Sequence, residues 1–465
     1  MQSISVYILN RCYKYTSTLS EECRKAILLV CCFDWAMMYS FQFDLHIANF
    51  ESRECALCGF ITLIIMTVFS VNGEIKPVRW NKWLYYPFVA FGIGIIIIRM
   101  IHRIGTGYLI YGVELAFILP AFYLVWLNRD DHGTLYNIIA GAFALRGIAY
   151  YFFCLYQASN MQLVISNGRV CGTLGNPNTL AMVGVASIMS GLYLIYKYRA
   201  DIVRLFSAAS IGAGGALIIA SVSRTALLAS IAFIAIILIF SIKRWRLSRE
   251  STKLSGMNKG ILIIILLLLI IIVMIIIGAG MESIQNRSFR LGNSSQKAIE
   301  QDNSSEASQQ VEPKSTQDSI DKIEGRLTTT GGLNSLSSGR IGNWKLHIEN
   351  FSLLGMNFNE FYEKYAEYRE VRAHNNIFEY LLCLGIVGII YIVFFINIGI
   401  KGLLILFNKR TIDADNLYLV MAIDAYIIYA MLEIATLPFI RCVPMIFFLS
   451  IAPALGESLH YEKGR

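Results

Sequence analysis

Apolar residues run along this chain in blocks of about twenty, separated by short polar connections. Blocks of that length are what a helix needs to cross a bilayer. By this rule about twelve spans are expected, near residues 25–43, 55–72, 83–101, 107–127, 135–157, 178–196, 203–220, 223–242, 260–280, 377–407, 416–436 and 438–456. The composition agrees. Of 465 residues 56% are hydrophobic and 15% charged, too little charge to cover a soluble protein of this size. The expected fold is an all-α polytopic membrane bundle: a first set of about nine spans (1–280), a long connection (281–376) and a last set of about three (377–465).

Lysine and arginine give the orientation. If the amino terminus is cytoplasmic, the inner segments hold Lys76, Arg79, Lys82, then Lys197, Arg199, Arg204, then Lys243, Arg244, Arg246, Arg249, Lys253, Lys259, and finally Lys409 and Arg410. The outer segments are poor in basic residues, with Arg103 the exception. Twelve spans put both termini in the cytoplasm and the long connection outside. The net charge of +8 reflects this bias, and no nucleic-acid partner is implied. No cleavable signal peptide is read: Arg11, Lys14, Glu21, Glu22 and Arg24 precede a first apolar run that contains Asp34. Most of the ten cysteines lie in or beside apolar spans, and Cys55 and Cys58 form a CxxC with no second pair for zinc. They read as small buried hydrophobes.

The long connection has two halves. Residues 292–338 are rich in Ser, Gln, Asn, Gly and Thr, with too few apolar side chains to offset the entropy of ordering, so disorder is expected there. Residues 340–372 change character. Ile341, Trp344 and Ile348, then Phe358, Phe361, Tyr362, Tyr365 and Tyr368, recur at helical spacing. They predict two amphipathic helices, suited to lying on the membrane or capping a cavity.

Charges near the spans carry the candidate chemistry. Arg169 stands in "NGRVCGTLGNPNTLA", and Arg224 in "SVSRTALLAS", where two spans have almost no loop between them. Arginines at such depths are costly unless paired or set in a wet cavity, so each reads as an anion site, as a side chain snorkelling to the interface, or as the partner of a carboxylate such as Glu379 or Glu433. Arg146, within a span, reads as a structural partner of Glu114 or another buried acid. His374 stands with two amides in "REVRAHNNIFEY", at the start of an apolar run. Asn375 or Asn376 could cap that helix.

The order "GRVCGTLGNPNTLA", "SRTALLA", a long outer loop containing "SGRIGNWKLHIENFSLLGMNFNEF", and "HNNIFEYLLCLGIVGII" resembles the O-antigen ligase and polysaccharide polymerase superfamily. The resemblance covers roughly residues 167–396. It implies a GT-C-like membrane glycosyltransferase in the bacterial cytoplasmic membrane. Such an enzyme takes glycan from a polyprenyl (undecaprenyl) diphosphate carrier and passes it to lipid A-core or to another carrier-linked glycan, in lipopolysaccharide or capsule assembly. It further implies that His374 is the reacting histidine and that Arg224, Arg340 and, more weakly, Arg169 hold the diphosphate. Asn375, Asn176 and Glu379 are the supporting positions.

The chemistry fits those residue types. A departing diphosphate gathers negative charge, and guanidinium groups give it bidentate, permanently charged contacts. The acceptor hydroxyl loses a proton, and histidine is suited to take it near neutral pH. Asp44, with His46 near it, could instead serve a divalent metal, but no acidic pair with ligand spacing stands out. A reaction without metal or cofactor is therefore expected. A transporter or flippase would also have about twelve spans, yet no internal repeat is visible.

Overall fold

A computed structural model describes residues 2–44, 52–102, 106–166, 169–174, 176–251, 340–365, 372–408, 413–433 and 441–457. The chain is helical nearly throughout these residues. In order come α1 (Gln2–Thr16), α2 (Glu21–Asp44), α3 (Ser52–Phe69), α4 (Lys82–His102) and α5 (Thr106–Val113). A π-helical turn, Glu114–Ile118, leads into α6 (Leu119–Asn128), followed by α7 (His132–Ser159). A two-residue hairpin pairs Ile165 with Val170 and Ser166 with Arg169. Next are α8 (Pro177–Lys197), α9 (Asp201–Ser221) and α10 (Arg224–Ser251). Beyond the long connection lie α11 (Arg340–Glu349), α12 (Phe358–Lys364), α13 (Asn376–Leu384), α14 (Ile386–Phe407), α15 (Ala414–Leu432), α16 (Cys442–Ser450) and α17 (Ala452–Leu455).

Among the described residues eight helices are long and apolar enough to cross a membrane. They are α4, the continuous run from Leu109 to Asn128, α7, α8, α9, the first 21 residues of α10, α14 and α15. The first two expected spans are occupied by α2 and α3, the apolar part of α3 being Leu57–Phe69. The span expected at 260–280 and the disorder expected at 292–338 lie outside the described residues, as do Arg103 and His46.

Two expected spans differ in the structure. Residues 377–407 do not form one rod: α13 stops at Gly385 and α14 starts afresh. Gly385 has φ +56°, and a Cβ there would sit 2.3 Å from the Leu353 carbonyl oxygen. The break therefore needs glycine, and it seats the loop before α12 against the helix junction. The second difference is at 438–456, whose described residues, from Arg441 on, form the short α16 and α17. Both pack inward: Tyr123 donates to the Phe448 carbonyl at 2.6 Å and Tyr136 to that of Ser450 at 3.1 Å.

The most deeply buried span is α8. It meets α9 at glycines, where a Cβ on Gly184 would lie 2.5 Å from the Gly214 carbonyl oxygen, and the reverse holds as well. Small residues that let backbones touch are how helices pack in lipid, where hydrophobic association gives little drive. At the end of α8 away from Asn176, Lys197 pairs with Asp415 at 2.7 Å, and Tyr193 joins both. This ties α8 to α15.

Arg146 was expected to pair with Glu114 or another buried acid; its guanidinium donates to Cys442 and lies over the Tyr150 ring. Glu114 is fully buried, with neither carboxylate oxygen hydrogen-bonded among the described residues. Of the helices expected in 340–372, α11 and α12 are present, while Tyr368 lies outside the described residues. Ile348 points out at 57% exposure, and His347 is buried. His347 packs edge-on to Phe361 of α12, which in turn meets Leu382.

Candidate active site

Glu433 is the residue on which the site is built. It follows the last turn of α15, is 5% exposed, and draws side chains from three other helices and from the turn before a fourth. Asn178 Nδ2 donates to its Oε1 at 3.0 Å, and Thr225 Oγ1 to the same oxygen at 3.4 Å. An Arg340 nitrogen lies 3.6 Å from Oε1, and His374 Nδ1 lies 3.7 Å from Oε2. Arg340 also donates to the Leu432 carbonyl. Burial alone would push the Glu433 carboxyl up. The contact with His374 and the charges of Arg340, His374 and Arg441 outweigh it and hold the group below the usual carboxylate range.

Each of these partners stands at the start of a helix. Asn178 is second in α8, Thr225 second in α10, Arg340 first in α11, and His374 two residues before α13. Helix N-termini present unpaired N–H groups and a partial positive charge. Several N-termini close together, with arginines among them, suit an anion.

His374 has φ +49°, a left-handed conformation that histidine adopts sparingly and that costs about 1–3 kcal/mol when held. The residue after it explains part of the hold. Asn375 caps α13, accepting from the Ile377 N–H at 2.9 Å, while its Nδ2 donates to the Met431 carbonyl at 3.0 Å. The cap expected from the sequence is present, and it also bolts the His374 turn to α15.

The other expected positions divide. Arg340 and His374 meet at Glu433. Arg224 opens α10 with an exposed side chain, next to Thr225. Arg169 is engaged one step back, its Nε donating to the Ser221 carbonyl at 2.7 Å and its Nη2 to Asn178 Oδ1 at 2.7 Å. It thus orients the amide that reaches Glu433. Asn176 caps α8, accepting from the Asn178 N–H at 2.8 Å, with Pro177 at the first helical position. Glu379 does not touch Glu433. Its Oε1 accepts from the Ala373 N–H at 3.0 Å, beside His374. The side chains of Asp44 and His46 lie outside what is described.

Asn178, Thr225 and Arg441 were missed by the sequence reading, and Glu433 entered it only as a possible arginine partner. The signal for Glu433 was present, since an acid at the end of an apolar span is expensive and marks function by default. Nothing along the chain said which basic residues it would meet.

No curated protein matches the chain, and no solved structure does. A family model described as O-antigen ligase matches residues 208–393, a stretch that includes Arg224, Arg340, His374 and Glu379 and ends before Glu433. Residues 208–393, about two fifths of the chain, are thus similar to the O-antigen ligase family.

Proposed function

We propose that this protein transfers glycan from a polyprenyl diphosphate carrier to a glycan or lipid A-core acceptor at the outer face of the cytoplasmic membrane, as an O-antigen ligase or a surface-polysaccharide polymerase. One observation carries the reading: the starts of four helices, with Arg340 and His374 among them, converge on one buried carboxylate. The helix N-termini and the arginines favour the diphosphate, and Arg340 and Arg224 stabilise the charge that builds as the carrier leaves. Glu433 faces His374 Nδ1. That favours the proton on Nδ1, turns Nε2 toward the acceptor hydroxyl, and stabilises the imidazolium once the proton has moved. The acceptor oxygen then attacks the anomeric carbon while the bond to the diphosphate breaks.

The test uses purified protein in proteoliposomes with a polyprenyl-diphosphate-linked glycan. Acceptor glycan should lengthen, and free polyprenyl diphosphate should accumulate in equal amount. Glycan crossing the membrane while still linked to its carrier, with no new glycosidic bond, would instead support a flippase.

A further inference from the structure

We propose that Trp344, Asn343 and Glu379 form a clamp on the backbone before His374, so that the helix opening with Arg340 and the reacting histidine are positioned as one unit. The inference rests on the reading of His374 as the proton acceptor. Both backbone groups of Ala373, which is fully buried, are held by side chains from different helices. Its N–H donates to Glu379 Oε1 of α13 at 3.0 Å, and its carbonyl accepts from Trp344 Nε1 of α11 at 2.7 Å. One residue earlier, the Arg372 carbonyl accepts from Asn343 Nδ2 at 3.0 Å. The Trp344 ring stacks on Phe378 with centroids 5.1 Å apart, which fixes the direction of its N–H.

A buried histidine stands behind Glu379. His347 Nδ1 lies 2.8 Å from the Asn343 carbonyl oxygen, and a carbonyl can only accept, so that nitrogen carries a proton. The opposite nitrogen, Nε2, faces Glu379 Oε2 at 3.9 Å from a fully buried ring. The ring therefore packs behind the carboxylate that holds Ala373 without a hydrogen bond to it.

The clamp accounts for the left-handed His374. A strained residue persists only where its surroundings over-determine it. Here Ala373 is fixed on one side and Asn375 on the other. Arg340 and Trp344 share α11, so a shift of that helix would move the guanidinium and loosen the His374 turn together. These are positioning residues. Losing them should misplace the base while leaving headgroup contacts largely alone, so turnover falls more than carrier affinity.

The experiment is transfer kinetics in proteoliposomes for Glu379→Leu, Glu379→Gln, Trp344→Phe and His374→Ala, at matched reconstitution. Glu379→Leu, which removes the acceptor of the Ala373 N–H, should lower kcat about tenfold or more with KM for the carrier substrate little changed. Glu379→Gln keeps an acceptor oxygen and should restore most of that loss. Trp344→Phe keeps the ring on Phe378 and removes only the N–H, and should lower kcat several-fold. It carries the test alone if Glu379→Leu does not reconstitute. Wild-type kcat in both Glu379→Leu and Trp344→Phe, or a rise in KM alone, would overturn the clamp. So would a loss in Glu379→Gln equal to that in Glu379→Leu. Normal turnover by His374→Ala would remove the reading beneath it, whereas an inactive His374→Ala with unaffected clamp variants would remove the clamp only.

Discussion

Replacing His374 with alanine should reduce glycan transfer by about a hundredfold or more, the usual scale for loss of a general base. The protein should still insert, fold and bind carrier. Folding is expected to survive because the turn is held by its neighbours: Ala373 by two side chains and Asn375 by the Met431 carbonyl and its cap. The histidine side chain is also partly exposed. The change does leave Glu433 with one fewer partner, but Asn178, Thr225 and Arg340 still face it. The loss should therefore appear in chemistry and hardly in stability. The check is transfer rate against melting temperature in the same detergent. A variant that melts like the parent and transfers at the parental rate would sink the assignment of His374.

The second large effect is expected from Arg→Lys at 340 and 224. Lysine keeps the charge but loses the planar fork and the spread of donors that match phosphate oxygens. At Arg340 the geometry adds a reason. One guanidinium nitrogen meets Glu433 while another holds the Leu432 carbonyl, and a single ammonium cannot keep both in place. Each single change should cost about 2–4 kcal/mol of transition-state stabilisation, by analogy with removal of one oxyanion donor. The two losses should fall short of additive, because a diphosphate that has lost one contact can shift away from the other. An arginine that merely snorkels to the interface behaves otherwise, and Lys replaces it at little cost. Transfer by the two single variants and the double variant, at matched expression, decides the matter. Normal transfer by both single variants would mean that the diphosphate lies elsewhere.

Much of this was legible in the chain, for physical reasons that also mark where legibility ends. Apolar runs of about twenty residues are a local signal, so most spans could be placed by eye. The interruption at Gly385 was hidden inside an unbroken apolar run, and its cause is the approach of the Leu353 and Ser352 carbonyls, a contact no local pattern reports. The helical stripe of Ile341, Trp344 and Ile348 did not say which polar groups of α11 would be used. The structure turns Trp344 and His347 inward, where an indole N–H and an imidazole find polar partners. At the site, His374 and Arg340 stood out because their residue types suit diphosphate chemistry. Glu433 did not, because its meaning depends on four helix starts that are distant in sequence. The GNPN turn was recognised, but Asn176 was singled out in it. Asn176 caps the helix, and Asn178 makes the contact with Glu433.

The central claim is that this cluster of helix starts and arginines holds a diphosphate, and headgroup preference tests it most directly. Purified protein in neutral nanodiscs would be titrated with polyprenol, polyprenyl monophosphate and polyprenyl diphosphate of the same chain length. The account predicts tightest binding for the diphosphate, and a preference over the monophosphate that shrinks in Arg340→Lys and Arg224→Lys. Equal binding of all three lipids, or a diphosphate preference untouched by either substitution, would contradict it.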